Sequence, residues 1–585
     1  MADTEKSTAA SNQGISEAEA KPIMVTGEKP ILDSSAHSID DDNEPVPHLH
    51  AKTFLAIIAV CMIYIAQLVS LVGAGAQGQI IAGHFHDTAQ VVWFSAPITI
   101  FTVVLGPIVS QAADYWGRKP FLVVLPVFGA VGALIVARAS SMNMTIAGFC
   151  VIGIAFGTQP LLHVVTSEVL PRRWRAWAQA ADMLSNAAGS TLGLYVGGAL
   201  NRTSNPASDG FRYYFYLNMA CFLIASALCT VVYNPPPIPT QRGLTNAQKL
   251  AKLDWVGYFL LATGLVLFSI GLSYSKNPYE WSDPVVSAAF AVGMLFIAAL
   301  IAYETWAKTD GMFHHGLFTG NRNFSIATFC VFAEGVAFFA ANTYFAFQVS
   351  VLYEHDALIV GARYSIMMIV SAIAACCTGW YCAVARRVRW ASVLAFVIFV
   401  AFFICMANTN QNTDLPVWGY PVVLGIALGM TLTTLVTAAQ LSTPPELISV
   451  ASGLIISVRS LGGTVGLAIY NALFNEVMGH LGDNIAKAVI PAGLDPANLG
   501  PFIGALASQN PAALSLIPGV TPAISSQGAN ALLETFVVAF RHVWIAGGCF
   551  VAIAAIAAAF LFDPRKEFNM HIDHPVEKEE DLYSV

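Results

Sequence analysis

An all-α membrane protein with fourteen transmembrane helices is the architecture this sequence predicts, and three observations predict it. First, hydrophobic residues make up 56% and charged residues 11% of the 585-residue chain, with mean hydropathy +0.62. Soluble domains carry about 25% charged residues, so a chain this apolar cannot cover its surface in water. Second, apolar runs near the ~20 residues that cross a ~30 Å hydrocarbon core recur along the chain. They lie at 54–76, 91–112, 120–138, 145–166, 176–200, 212–233, 254–274, 285–304, 325–350, 361–383, 389–407, 419–441, 453–474 and 541–562. Third, Lys and Arg collect on alternate loops.

One set of short loops carries Arg118, Lys119, Arg172, Arg173, Arg175, Arg242, Lys249, Lys252, Lys308, Arg322, Arg386, Arg387 and Arg389. The opposite set has mainly Arg202, Arg212, Lys276, Arg363 and Lys487. Positive charge stays on the cytoplasmic side, so the basic end of the bundle is expected inside, with both termini. No apolar segment precedes the first long run, which is therefore expected to direct insertion itself.

The net charge of −8 resides in the tails: residues 1–48 contribute −7 and residues 563–585 contribute −4. The N-terminal tail, rich in Ser, Ala, Glu, Asp and Pro, reads as disordered and solvated, and the C-terminal tail is likewise expected to be short and disordered. Neither suggests a nucleic-acid partner. The ten cysteines all fall inside apolar runs, as small core residues do. They predict no disulfide framework and no metal site, and no cofactor is expected. The loop 475–540, expected outside and rich in Pro, Gly, Ala and Asn, dips against the membrane, lids the outer mouth or is a spacer.

Between spans 2 and 3 the chain reads "SQAADYWGRKP". On residues alone this is a basic turn. Its offsets Ser110, Asp114, Gly117, Arg118 and Lys119 recur weakly between spans 10 and 11 as Gly379, Ala383, Arg386, Arg387 and Val388. Weak internal symmetry of that kind is common in transporters. The stretch resembles the signature loop of the major facilitator superfamily, G-x-x-x-D-x-x-G-R-[KR], departing at Ser110. The resemblance implies two six-helix bundles joined by two linking spans. Asp114 would then face the N-terminus of span 13, near Ser449 to Gly453, where helix N–H groups favour an anion. Arg118 would pair with Glu168, and Gly117 and Lys119 would complete a gating latch. Ser110 is larger than the usual glycine and is expected to tighten the contact between span 2 and its partner.

In span 5, "GSTLGLYVGGAL" sets Gly189, Gly193, Gly197 and Gly198 on one small-residue face. It reads as packing or as a resemblance to the exporter motif G-x-x-x-G-P-x-x-G-G, with Leu194 in place of the proline. Phe149 stands where drug exporters often have a basic residue. Over residues 50–578 the chain resembles fungal 14-span drug:proton antiporters, especially the trichothecene efflux pump and siderophore transporter branch. The telling segments are "GTQPLLHVVTSEVLPRRWR" (157–175), "IPGVTPAI" (517–524), "AFRHVWIA" (539–546) and "DPRKEFNMHIDHPVE" (563–577).

That resemblance divides the chain into a tail (1–50), an N-terminal bundle (51–233), a linker with two extra spans (234–310), a C-terminal bundle (311–562) and a second tail (563–585). It implies proton-driven export of an amphipathic toxin, drug or secondary metabolite across the plasma membrane by a monomer. The alternatives are a siderophore–iron transporter of the same fold and a non-transporting sensor. An ATP-driven pump is disfavoured because the phosphate-binding G-x-x-x-x-G-K-[ST] pattern is missing, and no H-E-x-x-H or G-x-S-x-G catalytic pattern occurs.

Ionisable groups within spans are costly and therefore functional suspects. Glu334 falls near mid-membrane in span 9, as a proton or substrate group or a structural hydrogen-bonding one. His163 and Asp182, at matching depth in spans 4 and 5, form either a proton relay or a mutually satisfied pair. Arg459 in span 13 needs an acidic partner, for which Glu334 is a candidate. Asn342, Gln348, Asn471, Phe338 and Tyr344 are candidate pocket residues. Asn201 in "NRT" is the expected glycan acceptor, and a glycan on Asn323 in "NFS" would mean inverted orientation.

Overall fold

The computed structural model describes residues 47–576, apart from 86–91, 204–209, 237–242, 244, 275–280, 309–310, 313, 320–321, 355, 508–513 and 515. Fourteen long helices organise it. They are α1 Ala51–Ala76, α2 Val92–Trp116, α3 Lys119–Ala137, α4 Met142–Glu168, α5 Arg175–Thr203, α6 Gly210–Val232, α7 Trp255–Tyr274 and α8 Pro284–Ala302. They continue with α9 Arg322–Leu352, α10 Ala357–Ala385, α11 Arg389–Ala407, α12 Tyr420–Leu441, α13 Ile448–Met478 and α14 Pro522–Ala558.

Local chemistry sets several ends. Ser141 accepts from the Met144 N–H at the start of α4, and Asp356 accepts from the Leu358 N–H at the start of α10. Inside α4 a 3₁₀ turn, Phe156–Thr158, precedes Pro160, whose missing N–H breaks the α ladder.

Not every expected span is apolar along its length. Among the described residues, twelve helices are long and apolar enough to cross a membrane. The count is thirteen if α7 is joined to the short helix Asn246–Lys252, from which it bends by 51°. Helix α5 has the length but not the apolarity, because Gln179, Asp182, Ser185, Asn186 and Ser190 are buried against other helices instead of facing lipid.

Two sets of buried apolar side chains follow the two bundles of the fold. Tyr64, Leu122, Leu161, Val165 and Cys229 pack among α1–α6, and Phe324, Phe339, Phe399, Leu435 and Trp544 among α9–α14. Helix α12 has 78% of its apolar window buried and α8 only 17%, so α8 lies at the periphery. Outward-facing Phe259, Leu295, Val397 and Ile556 suit a lipid environment.

The segment 475–540 is not a plain loop. Helix α13 runs on to Met478, Leu481–Val489 and Leu499–Ala507 are helical, and α14 begins at Pro522. Thirty-seven residues at 1.5 Å per residue make α14 about 55 Å long, well beyond the hydrocarbon core. Its projecting end packs Ile524 with Ile485, Val489, Phe502 and Leu506 into a small apolar core.

Candidate functional site

The α2–α3 turn is built on Gly117, whose φ of +88° needs a residue without a Cβ. The weak repeat has a backbone counterpart: Arg386, at the matching offset after α10, has φ +54°. A side chain there costs about 1–2 kcal/mol relative to glycine.

From the glycine turn, Arg118 is buried, and its Nη2 lies 2.9 Å from Glu168 Oε1 and 3.9 Å from Asp114. Ser449, in the first turn of α13, is in hydrogen-bonding reach of Asp114, and its hydroxyl donates to the Ser110 carbonyl at 3.3 Å. Lys119 bonds the Thr230 carbonyl and Asn234. Ser110 is accommodated by a glycine on the partner: a Cβ at Gly453 would sit 2.6 Å from the Ser110 hydroxyl.

In the interior of the C-terminal bundle, Arg459 clasps Glu334 with both ends of its fork. Nε lies 2.6 Å from Oε2 and Nη2 lies 2.9 Å from Oε1, with Glu334 fully buried. Glycines permit the approach, since a Cβ at Gly335 would overlap the Arg459 carbonyl and one at Gly462 the Phe332 carbonyl. The guanidinium also sits 4.5 Å from the centre of the Phe338 ring. Glu334 is therefore not an isolated carboxyl among apolar groups.

The pair lines a cavity with Phe338, Met183, Asn186, Met367, Met368, Ser371, Leu428 and Leu432. Helix α5 of one bundle and α9, α10, α12 and α13 of the other all contribute. About 10 Å³ is open to the centre of a water molecule, roughly one water's room, so the walls are close together here.

In the N-terminal bundle, His163 Nδ1 lies 2.8 Å from Gln179 Oε1 and 3.1 Å from Asp182 Oδ2. Because Gln179 donates its own N–H to Ser167 at 2.7 Å, its oxygen faces the ring, and the ring proton belongs on Nδ1. Thr166 donates to Asp182 Oδ2 at 2.9 Å. His163 Nε2 and Asp182 Oδ1 are buried and have no hydrogen-bond partner among the described residues. Gln440 of α12 reaches across to the His163 carbonyl at 3.2 Å and to Ser452 at 3.0 Å.

Other expected pocket residues lie elsewhere. Gln348 donates to Thr409 at 2.6 Å and accepts from Trp544 at 2.7 Å, deep among α9, α11 and α14. Asn342 accepts from Tyr364 at 2.9 Å, and Tyr344 donates to Asn471 at 2.6 Å. None of these lines the cavity. Gly189 packs on the Ile65 carbonyl, Gly193 and Gly197 near Tyr214, and Gly198 on Leu358, which joins α5 to α1, α6 and α10.

Asn201 lies in the last turn of α5, outside the residues whose side chains are described. Asn323 is buried and bonded to Ser442 and Phe562, so it cannot report orientation through a glycan. Among the described residues, no group of three or more His, Cys, Asp or Glu is arranged to hold a metal.

Sequence reasoning missed Met183, Asn186, Met367, Met368 and Ser371 of the cavity, Gln179 and Gln440 beside His163, and Asp573 of the tail. The polar face of α5 was the available signal for Asn186 and Gln179. The methionines carry no distinguishing pattern.

The family model of the fungal trichothecene efflux pump (TRI12) matches residues 29–581. The chain belongs to that family. The trichothecene efflux pump TRI12 of Trichoderma arundinaceum is 21% identical over 507 residues, covering 83% of this chain and 82% of that protein. The MFS-type efflux transporter ffsH of Aspergillus flavipes is 24% identical over 561 residues, covering 93% and 92%. Among solved structures, a bacterial homologue of the human lysosomal transporter Spinster, inward-facing and occupied, matches with a TM-score of 0.51 at 15% identity. It covers 87% of this chain and 98% of that one, a likeness of fold. This TRI12-family chain is thus a multi-span membrane protein of the major facilitator fold, a secondary transporter that exports metabolites.

Proposed function

We propose that this protein exports an amphipathic small molecule of the toxin or secondary-metabolite class in exchange for protons. The observation that carries this reading is the buried Glu334–Arg459 pair lining a cavity otherwise walled largely by Met, Leu and Phe, where helices of both bundles meet. A polar fork on an apolar wall suits a ligand with a few hydrogen-bonding groups on a hydrophobic body. Phe338 is part of that wall; Asn342, Gln348 and Tyr344 are bonded to side chains outside it.

Proton coupling is assigned to Glu334, Asp182 and His163. The turn of Asp114, Gly117, Arg118 and Lys119, with Glu168, is assigned the latch of the gate at the basic end. Gly189, Gly193, Gly197 and Gly198 are assigned helix packing. We place the basic end and both termini in the cytoplasm and the protein in the plasma membrane, as a monomer, with α5 and α7 completing fourteen spans. A glycan on Asn201 would agree with that orientation. The bundles are taken as 51–233 and 311–562, with 234–310 linking them.

A trichothecene sesquiterpenoid is the probe for the test. Inside-out vesicles holding the protein should accumulate it when the lumen is made acidic, and a protonophore should abolish the effect. Glu334→Gln should lose the response to the gradient. Uptake that needs ATP and ignores the gradient would overturn the reading.

A further inference from the structure

Residues 563–576 of the C-terminal tail are docked, contrary to the disorder expected from the composition of the tail. It leaves α14 in the C-terminal bundle, where Asn323 holds both the N–H and the carbonyl of Phe562 at 2.8 and 2.9 Å. Asp563 then accepts from the Val388 and Arg389 N–H groups at the start of α11, 2.8 and 3.0 Å away. Phe568 is buried in a slot formed by Ala176 of α5, Cys382 of α10, Val388 beside α11, and Ala438 and Leu441 of α12. That slot has walls from both bundles.

Beyond the slot the tail belongs to the N-terminal bundle. The Arg173 and Arg172 N–H groups donate to the carbonyls of Asn569 and His571, at 2.8 and 2.9 Å. Asp573 receives Arg172 at 2.7 and 3.1 Å and is also bonded by Arg175. The His574 N–H donates to the carbonyl of Glu168 at 3.1 Å, and Val576 packs on the apolar core around Leu161 and Val165. Burial alone would raise the Asp573 pKa, but the Arg172 hydrogen bonds and the charge of Arg175 hold it below the usual carboxylate range.

Arg175 extends the connection, donating to the Gln440 carbonyl of α12 at 3.0 Å. A chain of contacts therefore runs from Arg118 through Glu168, His574, Asp573 and Arg175 to Gln440, crossing the seam between the bundles.

We propose that residues 563–576 are a removable strap that holds the basic end of the transporter closed. When the α4–α5 turn moves away from the ends of α10 and α12, the slot around Phe568 comes apart and the two anchors separate. The fully seated strap is compatible only with the closed end, so its docking free energy opposes opening there and shifts the population accordingly. Asp573 is a positioning residue in this scheme: it touches neither proton path nor cavity.

The strap rests on the orientation proposed above only for which membrane face the closed end adjoins. Its test needs no substrate and no proton gradient, so it stands apart from the transport reading. Ser449→Cys, buried at the seam in the first turn of α13, serves as the reporter. Its labelling by an impermeant maleimide is measured in membranes, against the same protein with Ser449 retained to subtract the native thiols. Asp573→Ala and Phe568→Ala should each speed labelling roughly tenfold, as expected for loss of a charge-assisted hydrogen bond or a buried aromatic anchor. Asp573→Glu should restore slow labelling. Labelling as slow in both variants as in the parent would overturn the strap, and so would fast labelling that Asp573→Glu fails to slow. Faster labelling from the extracellular face would reverse the orientation and keep the strap.

Discussion

Two buried acid–base pairs, one in each bundle, look alike in a list of intramembrane charges and differ in what they leave open. Both oxygens of Glu334 are taken by the Arg459 fork, at 2.6 and 2.9 Å. Adding a proton to Glu334 removes the charge that holds the Arg459 fork. The His163–Asp182 pair shares one ring nitrogen with Gln179 and leaves His163 Nε2 and Asp182 Oδ1 without partners among the described residues. A proton can be accepted there without breaking any existing bond. Burial thus makes an ionisable group costly, while the partner it is bonded to decides what a change of state disrupts. In the C-terminal bundle, protonation and rearrangement are one event; in the N-terminal bundle they are separable.

The largest effect expected from this difference is on Arg459. Arg459→Ala leaves the Glu334 carboxylate buried with no counter-charge, a loss of about 3–5 kcal/mol. Folded yield and thermal stability in detergent, followed by size exclusion, should fall sharply, and the double variant Glu334→Ala with Arg459→Ala should recover most of the loss. A double variant no better than the single one would break the comparison.

A smaller effect, on transport instead of stability, is expected at the other pair. Asp182→Asn keeps the shape and the acceptor for Thr166 but cannot change charge. One coupled proton and a gradient of one pH unit sustain about tenfold accumulation. The Asp182→Asn protein should be present at normal levels in vesicles and show no gradient-driven accumulation. Retained accumulation would shift the coupling to Glu334.

The smallest effect is expected where water reaches the carboxylate. Asp114 is 25% exposed and 3.9 Å from Arg118. Asp114→Asn removes an interaction with the start of α13 of about 0.3–2 kcal/mol, so the transport rate should change a few-fold with yield unaltered. A loss of yield matching that of Arg459→Ala would mean that burial does not rank these sites.

Much of this was legible in sequence because it is written in local patterns. Hydropathy marked most spans, and the Gly117 turn was read from the eleven consecutive residues 110–120. It marked α5 as well, at 176–200, although polar residues satisfied by neighbouring helices weaken the signal there. It failed for 475–540, where helices pack on one another beyond the bilayer and no apolar run of spanning length is needed. In the tail, seven acidic residues suggested solvation, but Asp573 meets arginines some 400 positions earlier in the chain.

What the sequence by itself determined is the class: a bilayer accepts only segments that satisfy their own backbone, so composition and run length dictate helices and exclude most alternatives. The tertiary structure decided which costly groups meet. Glu334 and Arg459 stand 125 residues apart; the sequence made Glu334 one candidate partner for Arg459, and the structure selects it and gives the two-bond geometry. That depends on α9 and α13 approaching closely at Gly335 and Gly462. A buried charge requires a partner, but only the packing of distant helices chooses it.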